Sequence, residues 1–243
     1  MITLIDGDVV AYRASCSKHN GFLPTLPQAK AKLDELMQEI LEETTGGFYA
    51  PDDYEVYITG KGNFRYDYAV TAPYKGNRKD LEKPEHLGNI RDYLVTHWGA
   101  VVSEGEEADD LLSIRATELG PEGFILASTD KDMLQIPGKH YNITKKTITE
   151  VDEFEGLRFF YSQIITGDRA DNIIGINGIG PVKANKILEG CVDEAELYDA
   201  CLKAYYDDGC PLLEANLRVL ENGALAWLRR YEGQVWGVTD DYR

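Results

Sequence analysis

The chain has 243 residues, 43% of them hydrophobic, with a formal net charge of −17. Enough apolar content is present to bury a full core, which disfavours disorder, and no apolar run approaches the roughly 20 residues of a membrane span. The N-terminus lacks the basic flank of a signal peptide, and Cys16, Cys191, Cys201 and Cys210 show no CxxC spacing, so neither zinc nor a disulfide framework is expected and a reducing cytoplasm is. The acidic balance argues against an ordinary nucleic-acid-binding surface unless much of the negative charge belongs to a cation site.

In chain order, the apolar run from Met1 to Ile5 reads as a buried strand broken at Asp6-Gly7-Asp8. A helix is expected from about Pro27 to Glu43, striped by Ala31, Leu33, Leu36, Met37, Ile40 and Leu41. Strands follow at Glu55 to Thr59, Val101-Val102 and Gly123 to Ala127, with helices at about Pro84 to His97 and Ala108 to Leu119. Alternation of this kind predicts a mostly parallel α/β sheet, in which ligands bind beyond the carboxyl ends of the strands. After about residue 155 the composition shifts to helices and turns, including Asp193 to Tyr206 and Leu212 to Tyr231. The expected domains are therefore 1–155 and 156–243.

Eight carboxylates fall in four clusters where strands should end or helices begin: Asp6; Glu107, Asp109 and Asp110; Asp130 and Asp132; Asp168 and Asp171. Alone, each fits a charged helix start or a polar turn. Together they would repel one another if brought close, unless divalent cations neutralise them, so the set points to a metal site. Glu107 and Asp110 are three apart and share a helix face, with Asp109 beside them.

Two further segments point to nucleic acid. The run Gly175-Ile176-Asn177-Gly178-Ile179-Gly180-Pro181-Val182-Lys183 has the pattern of a helix-hairpin-helix, whose glycines let backbone amides approach a phosphate without reading bases. Phe64-Arg65-Tyr66 and Tyr74-Lys75-Gly76-Asn77-Arg78-Lys79 combine aromatic and basic residues as single-stranded nucleic acid would require, although a solvated basic face would look the same.

The ordered set Asp6-Gly7 with Tyr12-Arg13, Phe64-Arg65, Tyr74-Lys75-Gly76-Asn77-Arg78, Glu107-Ala108-Asp109-Asp110, Ser128-Thr129-Asp130-Lys131-Asp132, Gly167-Asp168 with Asp171-Asn172, and Gly178-Ile179-Gly180 resembles the flap endonuclease/5′-3′ exonuclease family. Within it, the chain looks most like phage exonucleases and the 5′-nuclease domain of bacterial polymerase I. The resemblance implies a PIN-like α/β core, a helical arch at about residues 61–90, and a helix-hairpin-helix that grips duplex DNA, often with K⁺. It implies two Mg²⁺ or Mn²⁺ ions, the first served by Asp6, Glu107 and Asp109, the second by Asp130, Asp132, Asp168 and Asp171, with Asp110 close by. It places Lys75 and Arg78 on the scissile phosphate with Arg13 nearby, and gives DNA contacts to Phe64, Arg65, Tyr74, Lys75, Arg78, Gly178, Gly180 and Lys183. The implied substrates are DNA with 5′ ends, flaps or nicks, and RNA–DNA hybrids, handled by a monomer in replication, recombination or repair, in the host cytoplasm if the chain is phage-encoded.

One departure stands out. The family usually carries an aspartate just after the second strand, where this chain reads Thr59-Gly60-Lys61, and Gly60 takes that position by count. Two rival readings follow: a branched-DNA-binding protein with impaired nuclease, and a PIN-type ribonuclease.

Overall fold

The computed structural model describes residues 1–18, 21–78 and 81–237; Lys79, at the end of the basic segment, lies outside them. The chain forms two compact units, one built from Met1–Asn63 and Glu82–Val151, the other from Phe64–Leu81 and the chain from Asp152 onward. The basic segment thus belongs to the second unit.

In the first unit, six strands line up as β3-β2-β1-β4-β5-β6: β1 (Ile2–Asp6), β2 (Tyr54–Lys61), β3 (Val101–Glu104), β4 (Phe124–Ser128), β5 (Gly138–Asn142) and β6 (Thr147–Val151). All neighbours are parallel except β5 and β6, which form an antiparallel hairpin. Strand β1 is central and almost wholly buried, which is why it reads as an unbroken apolar run. Helices α1 (Gly7–Cys16), α2 (Leu26–Thr45) and α4 (Leu87–Trp98) pack on one another, while α5 (Ala108–Leu119) packs on β1, β2 and β4. The buried stripe of α2, Ala29, Leu33, Leu36, Met37, Ile40 and Leu41, repeats at three- and four-residue steps and joins Ile5, Val56, Ile58 and Ile125 in one core.

The turn expected after Asp6 is instead the first turn of α1. Asp6 caps that helix, its Oδ1 accepting from the Val9 amide at 3.0 Å. Gly7 allows the abrupt change, since a Cβ there would sit 2.6 Å from Ile58 Cγ2 and 2.7 Å from the Tyr57 carbonyl oxygen.

The second unit holds α3 (Arg65–Tyr68), a 3-10 turn at Gly76–Arg78, α6 (Glu153–Thr166), the short antiparallel pair β7 (Gly167–Asp168) and β8 (Ile173–Ile174), α7 (Pro181–Ile187), α8 (Glu194–Asp207) and α9 (Leu212–Ala226). Phe160, Ile164, Ile176, Ala184, Leu197, Tyr205 and Val219 form its core. Within 64–81 the described residues contain no helix longer than the four residues of α3. The glycine hairpin leads directly into α7, but β7 and β8 stand between it and α6.

Candidate active site

In the first unit the strand order reverses direction around β1, with β2 on one side and β4 on the other, and this switch point is where an open α/β sheet binds ligands. Asp6 ends β1 there and Asp130 follows β4. Asp6 is buried; its Oδ2 accepts from Ser128 Oγ at 2.6 Å, and the same Ser128 oxygen accepts from the Asp130 amide at 2.9 Å. Burial is the main force on the Asp6 carboxyl, and with the charges of Asp8 and Asp130 it pushes the pKa up to about 7 despite hydrogen bonds from Ser128 and Val9 that favour the anion. Asp130 Oδ1 accepts from the Asp132 amide at 2.9 Å, and Lys131 Nζ stands 3.8 Å from Asp132 Oδ1.

The acidic turn Glu107-Ala108-Asp109-Asp110 opens α5, as its spacing predicts. Glu107 and Asp110 are buried and Asp109 half-buried. Asp110 Oδ2 accepts from the Glu107 amide at 3.2 Å, so a helix-capping bond already uses one of its oxygens. Among the described residues, no three acidic, histidine or cysteine side chains are already gathered at metal-ligating distance. The donor set nevertheless suits a hard divalent ion: all-oxygen ligands, and an inner carboxyl whose charge is held back by burial and by like charge. Arg13, on α1, donates through Nη1 to Thr144 Oγ1 at 3.1 Å in the turn between β5 and β6.

Gly60 does not face this edge. Tyr57 pairs with Val101 and Ile58 with Val102, yet Lys61 pairs with Glu104, so β2 carries one extra residue there, a β-bulge. A Cβ on Gly60 would lie 1.9 Å from the Ser103 carbonyl oxygen. The residue that reaches the acidic turn is Thr59, whose Oγ1 accepts from the Ala108 amide at 3.0 Å.

In the second unit Asp168 Oδ1 accepts from the amides of Ala170, at 2.6 Å, and Asp171, at 3.3 Å, folding 168–171 into a tight turn. Asp171 gathers the basic segment: Arg78 Nη2 donates to its Oδ1 at 2.6 Å, Tyr74 donates to its Oδ2 at 2.8 Å, Lys75 Nζ lies 3.7 Å away, and the Lys75 amide donates to its carbonyl at 2.8 Å. Asn77 Nδ2 donates to the Arg169 carbonyl and Arg78 Nε to that of Ala170, while Asn172 Nδ2 returns a bond to Pro73. Lys75 and Asn172 both take the left-handed backbone, at φ 52° and 60°.

Three expected DNA contacts are otherwise engaged. Arg65 is 1% exposed, donating through Nε to the Leu225 carbonyl at 2.9 Å and through Nη2 to that of Trp227 at 2.7 Å. Phe64 packs beneath two guanidinium groups, with Arg229 Cζ 3.6 Å and Arg65 Cζ 4.6 Å from its ring centre. Tyr74 is buried, its hydroxyl committed to Asp171. Lys183 and the hairpin glycines are exposed; Lys183 Nζ donates to the Gly178 carbonyl at 2.9 Å, the Ile179 amide donates to the Ile176 carbonyl at 3.2 Å, and beyond the adjoining residues nothing lies within 4 Å of where a Cβ would stand on Gly178 or Gly180.

No family model matches the chain. It is 32% identical over 216 residues to DNA polymerase I of Bacillus caldotenax, an alignment covering 77% of this chain and 23% of that protein. It is 30% identical over 167 residues to the flap endonuclease Xni of Shewanella piezotolerans, covering 63% of this chain and 65% of that one. By sequence the chain is similar to members of the flap endonuclease/5′-3′ exonuclease family. It spans about a quarter of the polymerase and just under two thirds of Xni. In fold, the family's PIN-like architecture is shared with the 5′-exonuclease of bacteriophage T5 solved with zinc, at a TM-score of 0.66 and 19% identity over 93% of this chain and 88% of that one. The catalytic core of Rad2 solved with a DNA substrate aligns at 0.50 and 12% identity, over 89% of this chain and 70% of that one. Of the family motifs, those of the sheet edge stand where strand ends converge, whereas Phe64-Arg65 serves as an internal anchor of the second unit.

Proposed function

We infer that the protein is a structure-specific 5′-nuclease that hydrolyses DNA phosphodiesters with the help of divalent metal ions. The observation that carries this reading is the buried Asp6 carboxyl at the switch point, tied through Ser128 to the start of the Asp130 turn, where burial and the charges of Asp8 and Asp130 raise its pKa and a cation would favour its anion. The sequence relatives, a DNA polymerase I and a flap endonuclease, support the same chemistry.

In this reading Asp6, Asp130, Asp132 and the α5 acids Glu107, Asp109 and Asp110 are the metal ligands of the first unit, and Asp168 and Asp171 those of the second. Mg²⁺ or Mn²⁺ bound there would supply Lewis acidity toward the phosphate and an activated water for in-line attack. Ser128 orients Asp6 and holds the start of the Asp130 turn, so one hydroxyl sets the spacing of two ligands. Lys75 and Arg78 meet negative charge building on the phosphate once they exchange Asp171 for substrate. The exposed backbone at Gly178 and Gly180, with Lys183, holds the duplex backbone without preference for sequence, and K⁺ is the expected ion there.

End-labelled DNA carrying a 5′ flap, incubated with Mg²⁺, tests the reading. Release of 5′ fragments at the flap junction, with RNA left intact, is the expected result. Binding without cleavage would identify a branched-DNA-binding protein, and cleavage of RNA alone a PIN-type ribonuclease. Mapping products on flap, nicked and blunt duplexes and on RNA–DNA hybrids then separates exonuclease from flap endonuclease action.

A further inference from the structure

The end of β2 carries a network that neither the metal ligands nor the DNA contacts account for. Arg91, on α4, donates through Nη1 to Asp8 Oδ1 and through Nη2 to the Thr59 carbonyl. Asp8, in the first turn of α1, accepts the Thr59 amide on Oδ2 at 2.9 Å. Thr59 is therefore held by both its backbone groups, and its side chain is aimed along one direction, where Oγ1 receives the Ala108 amide at 3.0 Å. The bulge makes this necessary. With β2 and β3 out of register between Ile58 and Lys61, the sheet no longer fixes how Thr59 faces, and the Gly60 amide turns to Ser103 Oγ at 3.0 Å instead. Asp8 and Arg91 are each about two-thirds buried, and the planar guanidinium spans a carboxylate and a carbonyl at once, which an ammonium group cannot.

We propose that Arg91 and Asp8 are positioning residues that clamp Thr59, and that Thr59 in turn anchors the acidic turn Glu107–Asp110 in the place its carboxylates need to bind a divalent cation. Thr59, not Gly60, is then the contribution of β2 to the site, a neutral hydroxyl that orients ligands without adding charge. This rests on the metal-dependent reading above.

Two measurements on the folded, DNA-free protein test it: hydrogen exchange of the Ala108 amide by NMR, and Mn²⁺ affinity by electron paramagnetic resonance. Arg91→Gln should speed Ala108 exchange at least tenfold and weaken Mn²⁺ binding at least threefold, and Arg91→Lys should not rescue either. Thr59→Val, close in shape to the native residue, should reproduce both losses and keeps the test available if Arg91→Gln fails to fold, whereas Thr59→Ser should behave as wild type. Unchanged Ala108 exchange in Arg91→Gln and Thr59→Val overturns the clamp, as does accelerated exchange with undiminished Mn²⁺ affinity. A wild-type protein that binds no Mn²⁺ overturns the metal reading itself and the clamp's role with it, a result distinct from the other two.

Discussion

Glycine 60 marks how close backbone packing can mimic a missing ligand. Its Cβ would fall on the Ser103 carbonyl, so Gly60→Ala should cost about 1–3 kcal/mol by overpacking, read as a lower urea midpoint at unchanged m-value. A variant as stable as wild type would show that the bulge relaxes freely. Arg65 is the opposite case, a charge that is structural. Arg65→Ala leaves the Leu225 and Trp227 carbonyls without their donor and should cost roughly 3 kcal/mol, while the salt dependence of DNA binding by the folded fraction stays as in wild type. His140 sets a pH limit. Burial depresses its pKa although Nε2 stands 2.7 Å from the Ile136 carbonyl, so the folded protein resists the proton that the unfolded chain accepts below its ordinary value near 6.5. Its neutral form stabilises the fold at neutral pH, and that contribution is lost as pH falls through 6.5 toward the depressed folded value. Melting temperatures between pH 7.5 and 5.5 should fall less steeply in His140→Gln than in wild type.

Elements divide the chemistry. The β4 turn is expected to hold metal and the hairpin to hold phosphate, so their variants should fail differently. Asp130→Ala should reduce single-turnover cleavage by about a hundredfold or more with DNA affinity nearly kept, whereas Lys183→Gln should weaken binding, lower the salt slope by about one, and spare cleavage of bound substrate. Binding isotherms over a salt series beside single-turnover rates distinguish the two; a Lys183→Gln slope equal to wild type removes the hairpin from the interface. Periodicity made most elements legible. The run of β1 and the whole of α5 are where spacing places them, and so is the stripe of α2 except at Ala31, which is exposed while Ala29 is buried. Helix α1 was hidden because Asp6-Gly7-Asp8 has the composition of a turn, yet Asp6 there is a helix cap. The β5–β6 hairpin was hidden because Lys139, His140 and Asn142 break any apolar alternation on an edge strand pair. The bulge defeated counting, since one inserted residue moves every later side chain to the other face. Arg65 and Tyr74 misled for a different reason: an arginine satisfied by carbonyls and an arginine that faces phosphate are identical in sequence, and only burial separates them.

At the scale of the molecule, the division into units does not follow a single cut in the chain. Residues 64–81 join the unit that begins at Asp152. They supply Arg65 to its carbonyls and Tyr74, Lys75, Asn77 and Arg78 to the 169–171 turn. A fragment of residues 152–243 should therefore lack a fixed tertiary structure, with poorly dispersed amide resonances and no cooperative melt, and a peptide of residues 64–81 should restore dispersion in part. A cooperative melt of the fragment alone would show that its helices suffice.

Arg65 is separated from its partner Leu225 by 160 residues, so on the ribosome it emerges well before the carbonyl it will serve. At cellular elongation rates that wait is on the order of ten seconds, long enough for the six-stranded sheet, complete by Val151, to form around an excursion that has nowhere yet to pack. An apolar plug left exposed for that interval would invite aggregation. A guanidinium is content in water, and it surrenders its hydration only when the last helix delivers the two carbonyls that replace it.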